Sequence, residues 1–108
     1  MQTLIQVVCT KGPSLRQKIA NDSKLADFGL ETLKEHQPGR AHGWAKVRST
    51  EPDRQGALNI QWHGETNILL CRIVNKGAGR PHRVLGDFVD YLFKRHRKRI
   101  EAVNIIPR

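Results

Sequence analysis

Six consecutive residues, Lys94-Arg95-His96-Arg97-Lys98-Arg99, set five fixed positive charges and one histidine side by side with no acid between them. Such a cluster must face water, and it attracts any polyanion within a Debye length, about 8–10 Å at ordinary salt. The chemistry it suggests is phosphate binding, for which Lys and Arg at a helix end are well placed. The competing reading is a solvated helix terminus, where each cation contributes roughly 0.3–1 kcal/mol against the helix dipole. Two or three cations would satisfy a dipole; five exceed that need.

Two other basic groupings invite the same chemistry. Lys76, Arg80 and Arg83 flank Gly77-Ala78-Gly79 ahead of a helix, where an anion could meet free backbone N–H groups. The glycine spacing matches neither the P-loop nor the dinucleotide fingerprint, so a connector with Pro81 in the first helical turn accounts for it better. Trp44, Lys46 and Arg48 alternate along a strand and would present a basic strip with an aromatic for base stacking. Aromatic residues make up only 6% of the chain, which argues against an aromatic-rich RNA platform and for Trp44 at a core edge.

Five histidines, His36, His42, His63, His82 and His96, are the candidate general bases, and none has metal-ligand spacing. A ribonuclease-like site pairs such a base with cations for the phosphate; His63 or His82 with Arg72 or Arg80 fits that chemistry only loosely. No catalytic residue is assigned, and no pattern calls for a cofactor or metal. Cys9 and Cys71 stand far apart and outside any CxxC pair, and they read as buried, reduced thiols.

Something must position these groups, and 108 residues suit one compact domain over residues 1–108. Hydrophobic residues at 38% and charged residues at 27% describe a globular chain rather than a disordered one. The net charge of +9 is spread over both halves, so the domain itself is basic, with no separate basic tail. No segment approaches the eighteen or so apolar residues of a membrane span, and the first residues lack the pattern of a signal peptide, so a cytoplasmic location without membrane contact is expected.

Residues 3–10 read as a strand ended by Gly12-Pro13. Ser14 and Gln17 form a capping signature for a helix that Asn21-Asp22-Ser23 interrupts and Phe28-Gly29 stops. Residues 30–36 fit a strand better than a helix because Gln37-Pro38-Gly39-Arg40 follows as a turn. Trp44 to Ser49 is a strand, and Ala57–Trp62 with Asn67–Val74 is a hairpin about Gly64-Glu65, pairing Trp62 with Asn67, Ile60 with Leu69 and Leu58 with Cys71. A second helix carries Leu85, Phe88, Val89, Leu92 and Phe93 as its apolar stripe, and Ile100 to Ile106 is a last strand before Pro107. The order β-α-(β)-β-β-β-α-β implies an α+β fold with a mostly antiparallel sheet of five or six strands and two helices.

The expected function is nucleic-acid binding, RNA or DNA, mainly through phosphates. The residues are Lys94, Arg95, Arg97, Lys98 and Arg99, with Lys76, Arg80, Arg83, Trp44, Lys46 and Arg48 as further candidates. Neutralising Arg95, Lys98 and Arg99 is expected to weaken binding and spare the fold. The alternatives are a homodimer or a module for an acidic protein, using the face of Asn59, Gln61, Ile68, Leu70 and Arg72, and a small phosphodiester-cleaving enzyme.

Overall fold

Six segments rich in aliphatic and β-branched residues become strands in the computed structural model, which describes residues 3–51, 56–74 and 81–107. They are β1 (Thr3–Cys9), β2 (Leu30–Lys34), β3 (Trp44–Ser49), β4 (Ala57–His63), β5 (Ile68–Val74) and β6 (Ile100–Ile106). They form one sheet in the order β2-β3-β4-β5-β1-β6, with every neighbouring pair antiparallel. Two α-helices, α1 (Leu15–Ala20) and α2 (Pro81–Arg95), and two 3-10 turns, Ser23–Phe28 and Arg97–Arg99, complete the described chain. The fold is α+β, with strands and α-helices in the order read from the sequence.

One sheet face makes the core. Ile5 and Val7 of β1, Val47 of β3, Leu58 and Ile60 of β4, and Leu69, Cys71 and Ile73 of β5 alternate inward. Leu15 and Ile19 of α1 and Val84, Phe88, Tyr91 and Leu92 of α2 close over them. Local signals explain the connections. The Ser14 hydroxyl accepts from the Gln17 N–H at 3.3 Å and starts α1. Asp22 caps the first 3-10 turn by accepting from the Lys24 N–H at 3.0 Å. Gly29 ends that turn at φ +72°, where an L side chain would be strained, and β2 begins at the next residue.

The β4–β5 hairpin is offset by two residues from the register expected. Trp62 lies opposite Leu69, Ile60 opposite Cys71 and Leu58 opposite Ile73. The turn takes four residues, Gly64 to Asn67, because Asn67 adopts φ +56°, a conformation asparagine tolerates. An even offset keeps every side chain on its expected face. Helix α2 differs in rotation: its buried seam is Val84, Phe88, Tyr91 and Leu92, while Val89 is half-buried and Phe93 is 45% exposed. The seam turns because the Tyr91 ring packs between Phe28 and Phe88 and its hydroxyl finds a buried acceptor in Asp22.

Among the described residues no helix covers the other sheet face. It carries Leu4, Gln6 and Val8 of β1, Ile68, Leu70 and Arg72 of β5, Asn59 and Gln61 of β4, and Trp44, Lys46 and Arg48 of β3. Among the described residues no helix is long and apolar enough to cross a membrane.

Candidate nucleic-acid interface

β1 lies between β5 and β6, so α2 must carry the chain over β1 to reach the sheet edge. That crossover brings the basic run against the segment that follows β1. The Thr10 N–H donates to the Arg99 carbonyl at 2.8 Å, and the Arg99 guanidinium returns bonds to the Thr10 hydroxyl at 3.3 Å and the Thr10 carbonyl at 3.2 Å. The result is a groove of about 760 Å³ between the end of α2 and the start of α1. Pro13, Lys18, Phe93 and all six residues of the basic run line it. Its fixed charges are Lys18, Lys94, Arg95, Arg97, Lys98 and Arg99, and no acid lines it among the described residues.

The run does not remain a helix end throughout. α2 stops at Arg95, His96 bends the chain at φ −131°, and Arg97–Arg99 form a 3-10 turn. The break divides the cations by task. Arg95 grips Asp22 with two bonds, 3.1 Å from Nε to Oδ2 and 3.2 Å from Nη2 to Oδ1. Arg99 is held on Thr10 and lies 5.8 Å over the Trp62 ring. Lys94 sits 3.7 Å from Asp90 across an exposed helical i,i+4 pair, which contributes little. Among the described residues Lys18, Arg97 and Lys98 have no acidic partner. Sequence alone gave no sign of the Asp22 clamp, which joins residues 73 apart.

Asp22 also organises the interior side of the groove. Its Oδ2 accepts from the Tyr91 hydroxyl at 2.8 Å, and the Tyr91 oxygen lies 2.8 Å from Nε2 of His96. Burial opposes ionisation of Asp22, but bonds from Arg95, the Lys24 N–H and Tyr91 outweigh it and hold the carboxyl at about 2. An ionised Asp22 can only accept, so Tyr91 donates to it and His96 Nε2 must donate to Tyr91. His96 is 11% exposed, and burial, helped by Arg95, Lys18 and Arg99, pushes its pKa below the ordinary value against the pull of Asp22. His96 is therefore neutral at pH 7, with its proton on Nε2.

The other expected residues lie elsewhere. Arg83 is half-buried in the first turn of α2, and Lys76 and Arg80 fall outside the described residues. Trp44, Lys46 and Arg48 do share the uncovered face, but Trp44 is only 3% exposed and Arg40 lies 5.1 Å over its ring. Arg48 is paired with Glu31. The broad hollow beside Lys46 and Arg48, about 670 Å³, also contains Glu31 and Glu51, so its charge is mixed. Lys18 and Phe93 belong to the basic groove and were missed: Lys18 approaches only through the fold, and Phe93 has the spacing of a core residue. Both cysteines are free and buried, and burial raises both thiols above their ordinary range.

Comparison with protein-family models, with curated proteins and with solved structures yields no match to this chain.

Proposed function

We propose that this protein binds nucleic acid in the groove at the end of α2, gripping phosphates with Lys18, Arg97 and Lys98 and, secondarily, Lys94. The observation that carries this reading is the lining itself: six fixed cations, no acid among the described residues, and an exposed aromatic ring. A field of that sign raises the local concentration of any polyanion and steers its approach. Phe93, 45% exposed beside these charges, gives an unstacked base a flat apolar surface, which favours single strands. The net charge of +9 acts in the same direction.

The test is a triple substitution of Lys18, Arg97 and Lys98 to Gln. These replace the Arg95, Lys98 and Arg99 set that sequence suggests, because Arg95 and Arg99 hold Asp22 and Thr10 and their loss would confound folding with binding. The triple variant should keep its denaturation midpoint and bind every oligonucleotide more weakly by a similar factor. The slope of log affinity against log salt should shrink by about 0.7 per lost contact on single strands. Absence of salt-sensitive binding by the wild-type protein to RNA or DNA at micromolar concentration overturns the proposal.

A second reading, a homodimeric or protein-binding module, draws on the uncovered sheet face. Leu4, Val8, Ile68 and Leu70 are only half-buried there, and Ile106 is 40% exposed at its edge. Sedimentation equilibrium distinguishes it: a concentration-dependent dimer favours this reading, and a monomer across the micromolar range removes its homodimeric form.

A further inference from the structure

The Asp22–Tyr91–His96 chain ends at the wall of the basic groove, and that juxtaposition has a use beyond holding phosphates. With Nε2 committed to the Tyr91 oxygen, the second ring nitrogen of His96 is a bare acceptor. Nδ1 has no hydrogen-bond partner among the described residues and does not belong to the sealed, unpartnered side-chain atoms, which are those of Arg16, Trp44, Asn59 and Arg99. The His96 side chain is 11% exposed, and the residue lines the groove. A neutral imidazole, fixed in one tautomer by an acid acting through a hydroxyl and surrounded by cations able to hold a phosphodiester, has the parts of a general-base site.

We infer that the groove cleaves single-stranded RNA, with His96 Nδ1 as the base that activates the ribose 2′-hydroxyl. The inference rests on the nucleic-acid reading above. Nδ1 takes the 2′-hydroxyl proton as the 2′-oxygen forms a bond to the adjacent phosphorus. The bond from phosphorus to the 5′-oxygen of the next nucleotide breaks, and that oxygen leaves with a proton from solvent water. The imidazolium then returns its proton to the hydroxide so formed. The products are a 2′,3′-cyclic phosphate and a free 5′-hydroxyl, with no net change in protons. Lys18, Arg97 and Lys98 hold the phosphate and its developing charge. Tyr91 and Asp22 touch neither substrate nor reacting atoms; they are positioning residues that fix the ring and its tautomer.

The experiment uses one end-labelled RNA oligonucleotide and its 2′-O-methyl counterpart. The wild-type protein should bind both and cut only the first, leaving 2′,3′-cyclic phosphate ends. His96→Gln keeps an N–H donor toward Tyr91 and lacks a base. It should bind the 2′-O-methyl strand as the wild type does and cut RNA at least about a hundredfold more slowly. The wild-type rate should rise with pH to a plateau as His96 loses its proton, at a midpoint set by burial, Asp22, Tyr91, Lys18, Arg95 and Arg99, the groups that face the ring. Tyr91→Phe should lower kcat with little change in KM and move that midpoint, which a purely structural role would not do. Binding of both strands without cleavage at any pH overturns this inference and leaves the binding proposal standing. Failure to bind either strand overturns both. Cleavage undiminished in His96→Gln overturns the assignment of the base.

Discussion

Replacing Asp22 by Asn removes one charge and very little else, because asparagine caps a helical turn as well as aspartate does. The carboxyl lies at about 2 in the fold against an ordinary 3.8. At about 1.36 kcal/mol per pH unit, that difference corresponds to about 2.5 kcal/mol of stability at neutral pH. The Arg95 side chain is 43% exposed, and solvent screening there reduces the expected loss to about 1–2 kcal/mol. The pH dependence follows from a lowered pKa: the contribution is complete above about pH 4 and disappears as pH falls toward 2. Urea denaturation of wild type and Asp22→Asn from pH 7 to pH 2 should therefore show a stability gap that closes over that acid window. The same substitution releases Arg95 into the groove and adds a positive charge to its field. Affinity for a single-stranded oligonucleotide at low salt should rise even though the fold is weaker. A gap below about 0.5 kcal/mol at pH 7, or one that does not narrow on acidification, refutes the role given to the clamp.

Ile60 is fully buried, so Ile60→Ala should cost on the order of 2–5 kcal/mol in denaturant melts, whereas Val89→Ala on the half-buried flank of α2 should cost less than about 1 kcal/mol; equal costs would contradict the rotation of α2. Phe93→Ala should leave the melting curve within about 0.5 kcal/mol of wild type and weaken single-strand binding by about 1–3 kcal/mol, read by fluorescence anisotropy. Cys9 and Cys71, buried with raised thiol pKa values, should react with a maleimide far more slowly in the native protein than in urea, and labelling at equal rates would show that the core opens readily.

Local patterning made the elements legible. Ser14 with Gln17, the Asn21-Asp22-Ser23 interruption, Phe28-Gly29 and the Pro38-Gly39 turn each act through neighbours a few residues away, and each stands where its chemistry places it. The Gln37 carbonyl accepts from the Arg40 N–H at 3.0 Å across a glycine at φ +84°, as that turn requires. Strand faces were also legible, since alternation survives a two-residue register error. What escaped depended on contacts between distant segments. Nothing near Asp22 announces Arg95, and nothing near Tyr91 announces that its hydroxyl bridges an acid and a histidine. The basic run looked uniform because composition carries no information about partners; the fold separates Arg95 and Arg99, which bind the protein itself, from Arg97 and Lys98, which face water. The stripe on α2 was misjudged by one helical position for a similar reason: Tyr91 counts as polar in a pattern, yet its ring is fully buried.

The seating of β1 between β5 and β6 has a kinetic consequence. Leu4 lies opposite Arg72 on one side and Ile106 on the other, so the earliest strand has no partner until about two thirds of the chain exists. Closing such loops costs entropy before any contact rewards it, which places this chain among slow-folding topologies. The β2–β3–β4–β5 meander can form through short connections, while insertion of β1 and docking of β6 must come afterwards. Arg99 reaches Thr10, and Arg95 reaches Asp22, only at that late stage. In a refolding time course, oligonucleotide affinity should therefore emerge with the slowest phase, after most strand structure is already present.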